Sequence, residues 1–505
     1  MVALSYFRYS MKKLGLLLVG IATSLLLVAQ KKFDFNPACI QAYQEISKLK
    51  IKTGQQLVDK LLLQQPDNLS PLLLQNYIDF YTLFLNEDPA YYTIAFPNFQ
   101  ERLTSIESGP KETPFYLYAQ ALIRIHRAAV SIKFGHVWDA GWDLRKAYML
   151  LKENRKIYPQ FTPNDLLFGT LYTVIGTVPK GYQWLTNLFG IKGSINEGMQ
   201  LVKQFAYSND VWAKTFFTDA AFIYPYLLFH IDNKKEEALQ FITQKKLDLV
   251  NNHLHAFMAS NLYLNNKNVE ETKTIITSRN KSTDYLPLSV WDFEMGYAKM
   301  YHVETADALV HFEQFTNQFK GRFYVKDVYQ KISWCYYLQN NLPAAEQARK
   351  QVLKKGSTDA DADKKALKDA KAQYWPNPLL LKARLLNDGG YHKDAYKLLS
   401  GKTDEDFTNE EEKLEFAYRV ARILDDLNRP DDAIRNYLIA IRMGENRKEY
   451  YAARAALQVG MIYENRNQKK LALSYYQQCL AMEDHEYKNS LDQRAKAGIA
   501  RCKGE

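Results

Sequence analysis

The sequence predicts an all-α protein, an α-solenoid in which antiparallel helix pairs stack one after another. Three observations carry that expectation. Turn-formers are scarce, with 22 glycines and 16 prolines in 505 residues, well short of the ~12% of average usage. Over such a length the shortage favours long helices over many strands. The composition, 47% hydrophobic and 24% charged, is that of a folded chain and excludes wholesale disorder. Finally, a spacing rule of small and large apolar residues recurs seven times towards the C-terminus.

Taken in order, residues 1–29 read as a signal peptide. Met11, Lys12 and Lys13 precede an apolar run from Leu14 to Ala29; a charged start followed by such a run is the pattern of export. Ala29 offers one cleavage site and Gly20-Ile21-Ala22 another. Retained, the same segment would anchor the chain in a membrane. No Cys follows the run directly, which disfavours a lipid anchor. The expected location is extracytoplasmic, periplasmic or cell-surface associated, with membrane anchoring as the alternative. Of the net charge of +10, three units lie here, as Arg8, Lys12 and Lys13.

Residues 30–165 form an N-terminal helical region. Ser70-Pro71 and Thr113-Pro114 each place a capping hydroxyl before a proline at the first helical position. Ala128, Gly135 in a turn, and Ala140, Leu144 and Ala147 outline one degenerate helix pair. Trp138 and Trp142, at helical spacing beside His136, Asp139 and Asp143, read as core. Residues 166–214 form an interrupted pair. Gly169-x2-Tyr172 starts its first helix, but Gly198-x3-Val202 follows 29 residues later instead of 12. The extra residues include Val178-Pro179-Lys180-Gly181-Tyr182, Trp184, Leu185, Phe189, Gly190 and Gly193; Pro179 breaks a helix and the glycines permit tight turns.

Residues 215–487 hold seven repeats. Gly460, Tyr463, Ala472 and Tyr476 set the grid: a small residue, an aromatic three later, a small residue twelve later, and a large apolar four beyond. Ala421, Leu424, Ala433 and Tyr437 follow it, as do Ala383, Leu386, Ala395 and Leu399. Ser333, Tyr336 and Ala345 come before these, preceded by Gly296, Ala308 and Phe312. Ser260, Tyr263, Thr272, Ile276 and then Tyr226, Phe229, Ala238, Ile242 complete the set. Small residues let two helices cross closely while large ones fill the flanks. The second-helix anchors 238, 272, 308, 345, 395, 433 and 472 are separated by 34, 36, 37, 50, 38 and 39 residues. Lys299 and Arg349 stand where apolar residues belong. A polar insertion, residues 356–375, accounts for the separation of 50. Thr408 and Glu411 predict a capping box, and residues 488–505 a polar closing helix that seals the last repeat.

This pattern resembles the tetratricopeptide repeat (TPR), although no Trp-x2-Leu-Gly opening occurs. The Pro–Gly segment around Pro179 resembles the TPR-like family that includes the eukaryotic inclusion-body-clearance protein. The TPR resemblance implies a right-handed superhelix whose concave groove is lined by the first helix of each pair, at the residue after the small anchor and one turn beyond. Those residues are Leu227, Asn261, Tyr297, Trp334, Arg384, Arg422 and Met461, with Tyr301 and Tyr337 one turn further on. The candidate partner-binding residues are Tyr297, Tyr301, Trp334, Tyr337, Arg384 and Arg422. Tyr, Trp and Arg dominate binding surfaces, so the implied ligand is a segment with apolar or aromatic residues and nearby acids.

Patterns of other chemistry are incomplete. Asp359, Asp361 and Asp363 imitate a calcium loop, but Lys364 and Ala370 replace its Gly and Glu. Gly401-Lys402-Thr403 lacks the first Gly of a phosphate loop, Tyr396 standing there. His253 and His255, two apart, point to different faces of a helix. Cys39, Cys335, Cys479 and Cys502 show no CxxC spacing, and the second and third fall at apolar helix positions. No block of five or six basic residues suggests nucleic acid. The expectation is a non-enzymatic scaffold with no cofactor and no metal, binding a protein or peptide of unstated identity, in an oligomeric state left open. The alternative is a glycan- or nutrient-binding component of a cell-surface uptake system, for which the 35 Tyr and 7 Trp would supply stacking platforms.

Overall fold

The computed structural model describes residues 30–177, 190–373 and 375–503. Among them the regular structure is helical, with one isolated bridge between Lys32 and Asn68 and no strand. The helices are α1 Pro37–Ser47, α2 Ile51–Gln64, α3 Ser70–Asn86, α4 Pro89–Glu107, α5 Pro114–Lys133, α6 Val137–Ile157, α7 Pro163–Gly176, α8 Ile195–Tyr207, α9 Val211–Thr215, α10 Phe217–His230, α11 Lys235–Gln244, α12 His253–Asn265 and α13 Val269–Ser278. They continue as α14 Val290–Tyr301, α15 Thr305–Gln318, α16 Val325–Leu338, α17 Leu342–Lys354, α18 Asp361–Ala372, α19 Pro378–Asp388, α20 His392–Leu399, α21 Glu410–Asp426, α22 Pro430–Gly444, α23 Tyr451–Asn465, α24 Lys469–Ala481 and α25 Lys488–Lys503. The chain forms two compact units. One comprises residues up to Met258 with Arg279–Leu288; the other comprises Ala259–Ser278 and the chain from Ser289 on. No described helix is long and apolar enough to cross a membrane. The leader region 1–29, Pro179 and most of the Pro–Gly segment lie outside the described residues.

The small-and-large grid is visible in the packing. All seven second-helix anchors, Ala238, Thr272, Ala308, Ala345, Ala395, Ala433 and Ala472, are 0% exposed. A Cβ on Gly296 would sit 2.6 Å from the Phe312 ring, and one on Gly460 would sit 2.6 Å from Tyr476. In each case the first-helix anchor is small because the second-helix aromatic lies directly against the backbone. Tyr437 donates its hydroxyl to Asp425 at 3.2 Å, and Tyr476 donates to Glu464; each buried phenol thus meets the acid at the end of the preceding helix. On its other side Tyr476 meets Gly498 of α25, which packs against α24. Tyr226 is the grid's exception, a half-buried ring stacked on Phe222.

The turn inside each pair has its own register. Asn233, Lys267, Val303, Asn340, Gly390, Asn428 and Asn467, each five residues before a second-helix anchor, all have positive φ, between 57° and 89°. A left-handed residue there ends the first helix and swings the chain back. Asn and Gly take this conformation cheaply; a β-branched valine does not.

Several details differ from the sequence expectations. Ser70 lies inside α3 instead of capping it, because the Asn68 side chain already accepts the Ser70 N–H at 3.1 Å. The cap of α21 is Asn409, which accepts the Glu412 N–H at 2.9 Å; Thr408 instead donates its N–H and hydroxyl to the Glu412 carboxylate. Glu412 thus reaches past its cap Asn409 to Thr408, and the reciprocal box expected at Thr408 and Glu411 does not form. Thr113 caps α5 as expected. Trp138 and Trp142 lie on the exposed side of α6, because Ala140, Asp143, Ala147 and Leu151 take the buried face. Lys299 and Arg349 fit the grid through their heads: Lys299 pairs with Glu304 and Asp307, and Arg349 stacks on Trp375. In the interrupted pair, α7 and α8 cross backbone to backbone, and a Cβ on Gly169 would lie 2.9 Å from the Gly198 carbonyl.

Candidate partner-binding cleft

The first helices of the second unit, α14, α16, α19 and α21, line a cleft of about 620 Å³. The insertion folds as α18 and forms part of its wall. One face of α18 is buried through Asp363, Ala366 and Ala370. Asp363 accepts the N–H groups of Tyr324 (2.7 Å) and Asp327 (3.0 Å), and so caps α16. Of the three aspartates that imitate a calcium loop, Asp361 is solvated, Asp359 pairs with Arg322 and Asp363 is engaged in this cap. Lys368 of α18 reaches Glu486 at 2.5 Å across the rim.

Tyr297, Tyr301, Trp334 and Arg384 all line the cleft. Their rings are well packed: Tyr297 and Trp334 keep only 9% exposure each. Tyr297 donates its hydroxyl to Asp327, whose other oxygen pairs with Lys331 at 2.8 Å. Two cations approach the Trp334 ring, Lys331 at 4.3 Å and Arg384 at 5.6 Å from its centroid. Burial, with Asp388 adding to it, pushes the Tyr301 phenol above its ordinary range. Tyr337 lies apart from this lining and stacks on Trp375 with centroids 4.6 Å apart. Arg422 faces a smaller pocket that shares Arg384, Asp388 and Tyr450 with the cleft.

The sequence reading missed Tyr450, Tyr487, Glu411, Glu415, Arg419 and Arg454, all of which face one of these two spaces. Tyr487 is 47% exposed and meets Tyr450 edge-on at 5.2 Å. A signal for some of them was present. The position six before each first-helix anchor lies almost on the same helix face as the position one after it. In the last four repeats that position is Asp327, Asn377, Glu415 and Arg454. Glu415 and Arg419 form a buried pair, with Nε and Nη2 of Arg419 at 2.9 and 2.7 Å from one Glu415 oxygen. Burial and then the charges of Glu449 and Glu415 raise the Glu411 carboxyl above its usual range.

Among the described residues no group of three or more His, Cys, Asp and Glu is arranged to hold a metal. His253 bonds the Asn280 carbonyl and stacks on Tyr285, whereas His255 bonds the Thr218 carbonyl; burial lowers both to about 4. The four cysteines are buried, and burial raises the Cys335 thiol to about 12.

Helix pairs with a buried small residue against a buried aromatic, joined by a left-handed turn residue in constant register, make this a TPR-type fold. No family model matches the sequence, and no curated protein matches it. Solved structures do match. The TPR domain of P58(IPK) is 14% identical, over 90% of this chain and 97% of that one, with a TM-score of 0.23. The APC/C hetero-tetramer Cut9–Hcn1 is 14% identical over 90% and 95%, with a TM-score of 0.28. Yeast Tom70 is 12% identical over 90% and 96%, with a TM-score of 0.23. The packing described above, and not these likenesses, carries the assignment of the fold.

Proposed function

We propose that this chain is a non-enzymatic scaffold that holds a segment of a partner protein in the cleft of its second unit. The observation that supports this most is the cleft's lining. Aromatic edges from Trp334, Tyr450 and Tyr487 stand among charges of both signs, the combination of rigid contact area and directed polar groups that binding sites use. The reading includes work outside the cytoplasm or at a membrane surface, supported by the Lys12-Lys13 and Leu14–Ala29 pattern, and kinship with the TPR-like family of the inclusion-body-clearance protein, supported by the segment around Pro179. Affinity capture from an extract of the source cells, with wild type and the Trp334→Ala/Arg384→Ala double variant side by side, tests the groove. A partner held by wild type is expected to be lost from the variant at unchanged helicity; full retention by the folded variant removes the groove reading. Sequencing the N-terminus of the purified protein tests the leader: a chain starting near Gln30 supports export with cleavage, and retained Lys12 and Lys13 support an anchor.

A further inference from the structure

Helix α6 of the first unit buries Ala140, Asp143, Ala147, Leu151 and Asn154 along one face. At about 100° per residue, Trp138, Trp142, Arg145, Met149, Lys152 and Lys156 all fall within about 40° of a single line on the opposite face. All six are exposed, Trp138 by 59%, Trp142 by 54% and Met149 by 48%. Tryptophan is highly buried on average, and two of them one turn apart, each with more than half its surface in water, form a patch and not a scattered single. The Arg145 guanidinium lies 5.9 Å from the Trp142 ring centroid, so cation and ring keep to the same line. No acid stands on that line; the exposed acids of the helix, Asp139 and Glu153, lie to one side of it, beside Lys146.

A ridge about 27 Å long that mixes apolar bodies with cations is matched by a surface that is anionic on top and apolar beneath. Tryptophan settles at the boundary between lipid headgroups and chains, its ring in the apolar layer and its N–H towards water. Lysine and arginine extend apolar stems there while their heads stay level with the phosphates. We propose that the outer face of α6 docks on an anionic lipid bilayer with the helix axis in the plane of the membrane. Trp138, Trp142 and Met149 sink among the headgroups, and Arg145, Lys152 and Lys156 meet lipid phosphates. Charge favours this occupant over a second copy of the chain, which would bring three more cations to the same seam. No described helix is long and apolar enough to cross a membrane, and docking in the plane requires none. The inference concerns the first unit and does not depend on the cleft.

The full chain carrying Met149→Cys, labelled with nitrobenzoxadiazole, reads the surroundings of that face directly. The four native cysteines are buried, which directs the label to position 149. Vesicles of phosphatidylcholine with about one third phosphatidylglycerol should shift the emission to the blue, and about 0.5 M salt should reverse the shift. Vesicles of phosphatidylcholine alone should leave it unchanged. Lys152→Glu/Lys156→Glu should abolish the response. Trp138→Ser/Trp142→Ser should raise the lipid needed for half of it at least about tenfold, both pairs at unchanged helicity. A chain that floats with the vesicles without a shift at position 149 is attached elsewhere and overturns the proposal. An equal shift on both kinds of vesicle removes the anionic surface, and a response that survives both pairs of substitutions removes α6. A shift that grows with protein concentration in the absence of lipid assigns the face to a second copy instead, and neither shift nor flotation overturns the docking outright.

Discussion

In the first unit Asp79 is met by Arg102 at 2.5 Å and by the Tyr91 hydroxyl at 2.6 Å. Asp143 takes Arg127 Nε at 2.6 Å and Arg124 at 3.1 Å. Asp219, whose carboxyl burial raises above its usual range, is held instead by the hydroxyls of Tyr77 (2.7 Å) and Tyr81 (3.1 Å). The second unit has closed pairs too, such as Arg419–Glu415, but Arg454, which shares a pocket with Arg422, meets no carboxylate among the described residues. The same helix pairs therefore carry two treatments of charge. Where charges close on themselves they position helices, and removing one partner strands the other. Where like charges are left together, the fold gains nothing from them, and a ligand is the natural counterpart.

The contrast is sharpest in a pair of substitutions. Arg102→Leu should destabilise the protein by about 3–5 kcal/mol, because it leaves Asp79 buried without its cation, whereas Arg454→Leu should leave stability unchanged or slightly raised. Urea unfolding of the two variants measures both. Equal losses would erase the distinction between the regions.

Backbone approach in the first unit comes next. A Cβ on Gly193 would run into the backbone at Gly176 and Ile175, whereas one on Gly190, at φ +61°, would meet nothing within 4 Å among the described residues. Gly193→Val should therefore cost about 2–3 kcal/mol through overpacking, and Gly190→Val about 1–2 kcal/mol through left-handed strain alone. A larger loss at Gly190 than at Gly193 would contradict that packing.

In the second unit, Glu294 of α14 is fully buried, accepts from the Ser260 hydroxyl at 2.5 Å and the Asn261 amide at 3.2 Å, and has its carboxyl pushed by burial to about 8 from an ordinary 4.5. The folded state then holds a proton that the unfolded chain releases near pH 4.5. Its contribution is fully present below that pH and is lost as pH rises towards 8. Glu294→Gln should flatten the fall in stability between pH 5 and 8 and add at least about 1 kcal/mol at pH 8. An unchanged slope in paired urea titrations would mean that another group sets it.

The smallest effect is expected in a turn. Val303, at φ +63°, holds a place where the equivalent residue is Asn in four of the seven pairs. Val303→Asn should raise stability by about 1 kcal/mol, visible as a higher melting temperature; a fall would mean that the valine side chain contributes more packing than its backbone costs.

How far these features were legible in the sequence follows from what each depends on. The helix pairs were legible because a small residue facing an aromatic is a local rule that recurs: Gly460 with Tyr476 and Gly296 with Phe312 show it in packing as in spacing. The left-handed turn was equally periodic, but its four asparagines are interrupted by Lys267, Val303 and Gly390, so no single residue type marks it. Tyr297, Tyr301, Trp334 and Arg384 were singled out by the groove that the TPR resemblance implies together with helix periodicity, and all four line one cleft. The insertion as a wall was not legible, because the Lys368–Glu486 contact joins residues 118 apart in sequence. The pairing of the arginines was legible in part, since Arg422, Arg384 and Arg419 meet carboxylates one turn away on their own helices and Arg454 has no acid at that spacing.

Amide hydrogen exchange of the full chain, with and without a decapeptide of alternating Glu and Tyr, locates a bound segment on the helices. Binding in the cleft predicts slowed exchange in α16, α18, α19, α21 and the start of α23, with α1–α7 unchanged. Bound peptide that slows exchange only in α1–α7, or nowhere in the second unit, would contradict it.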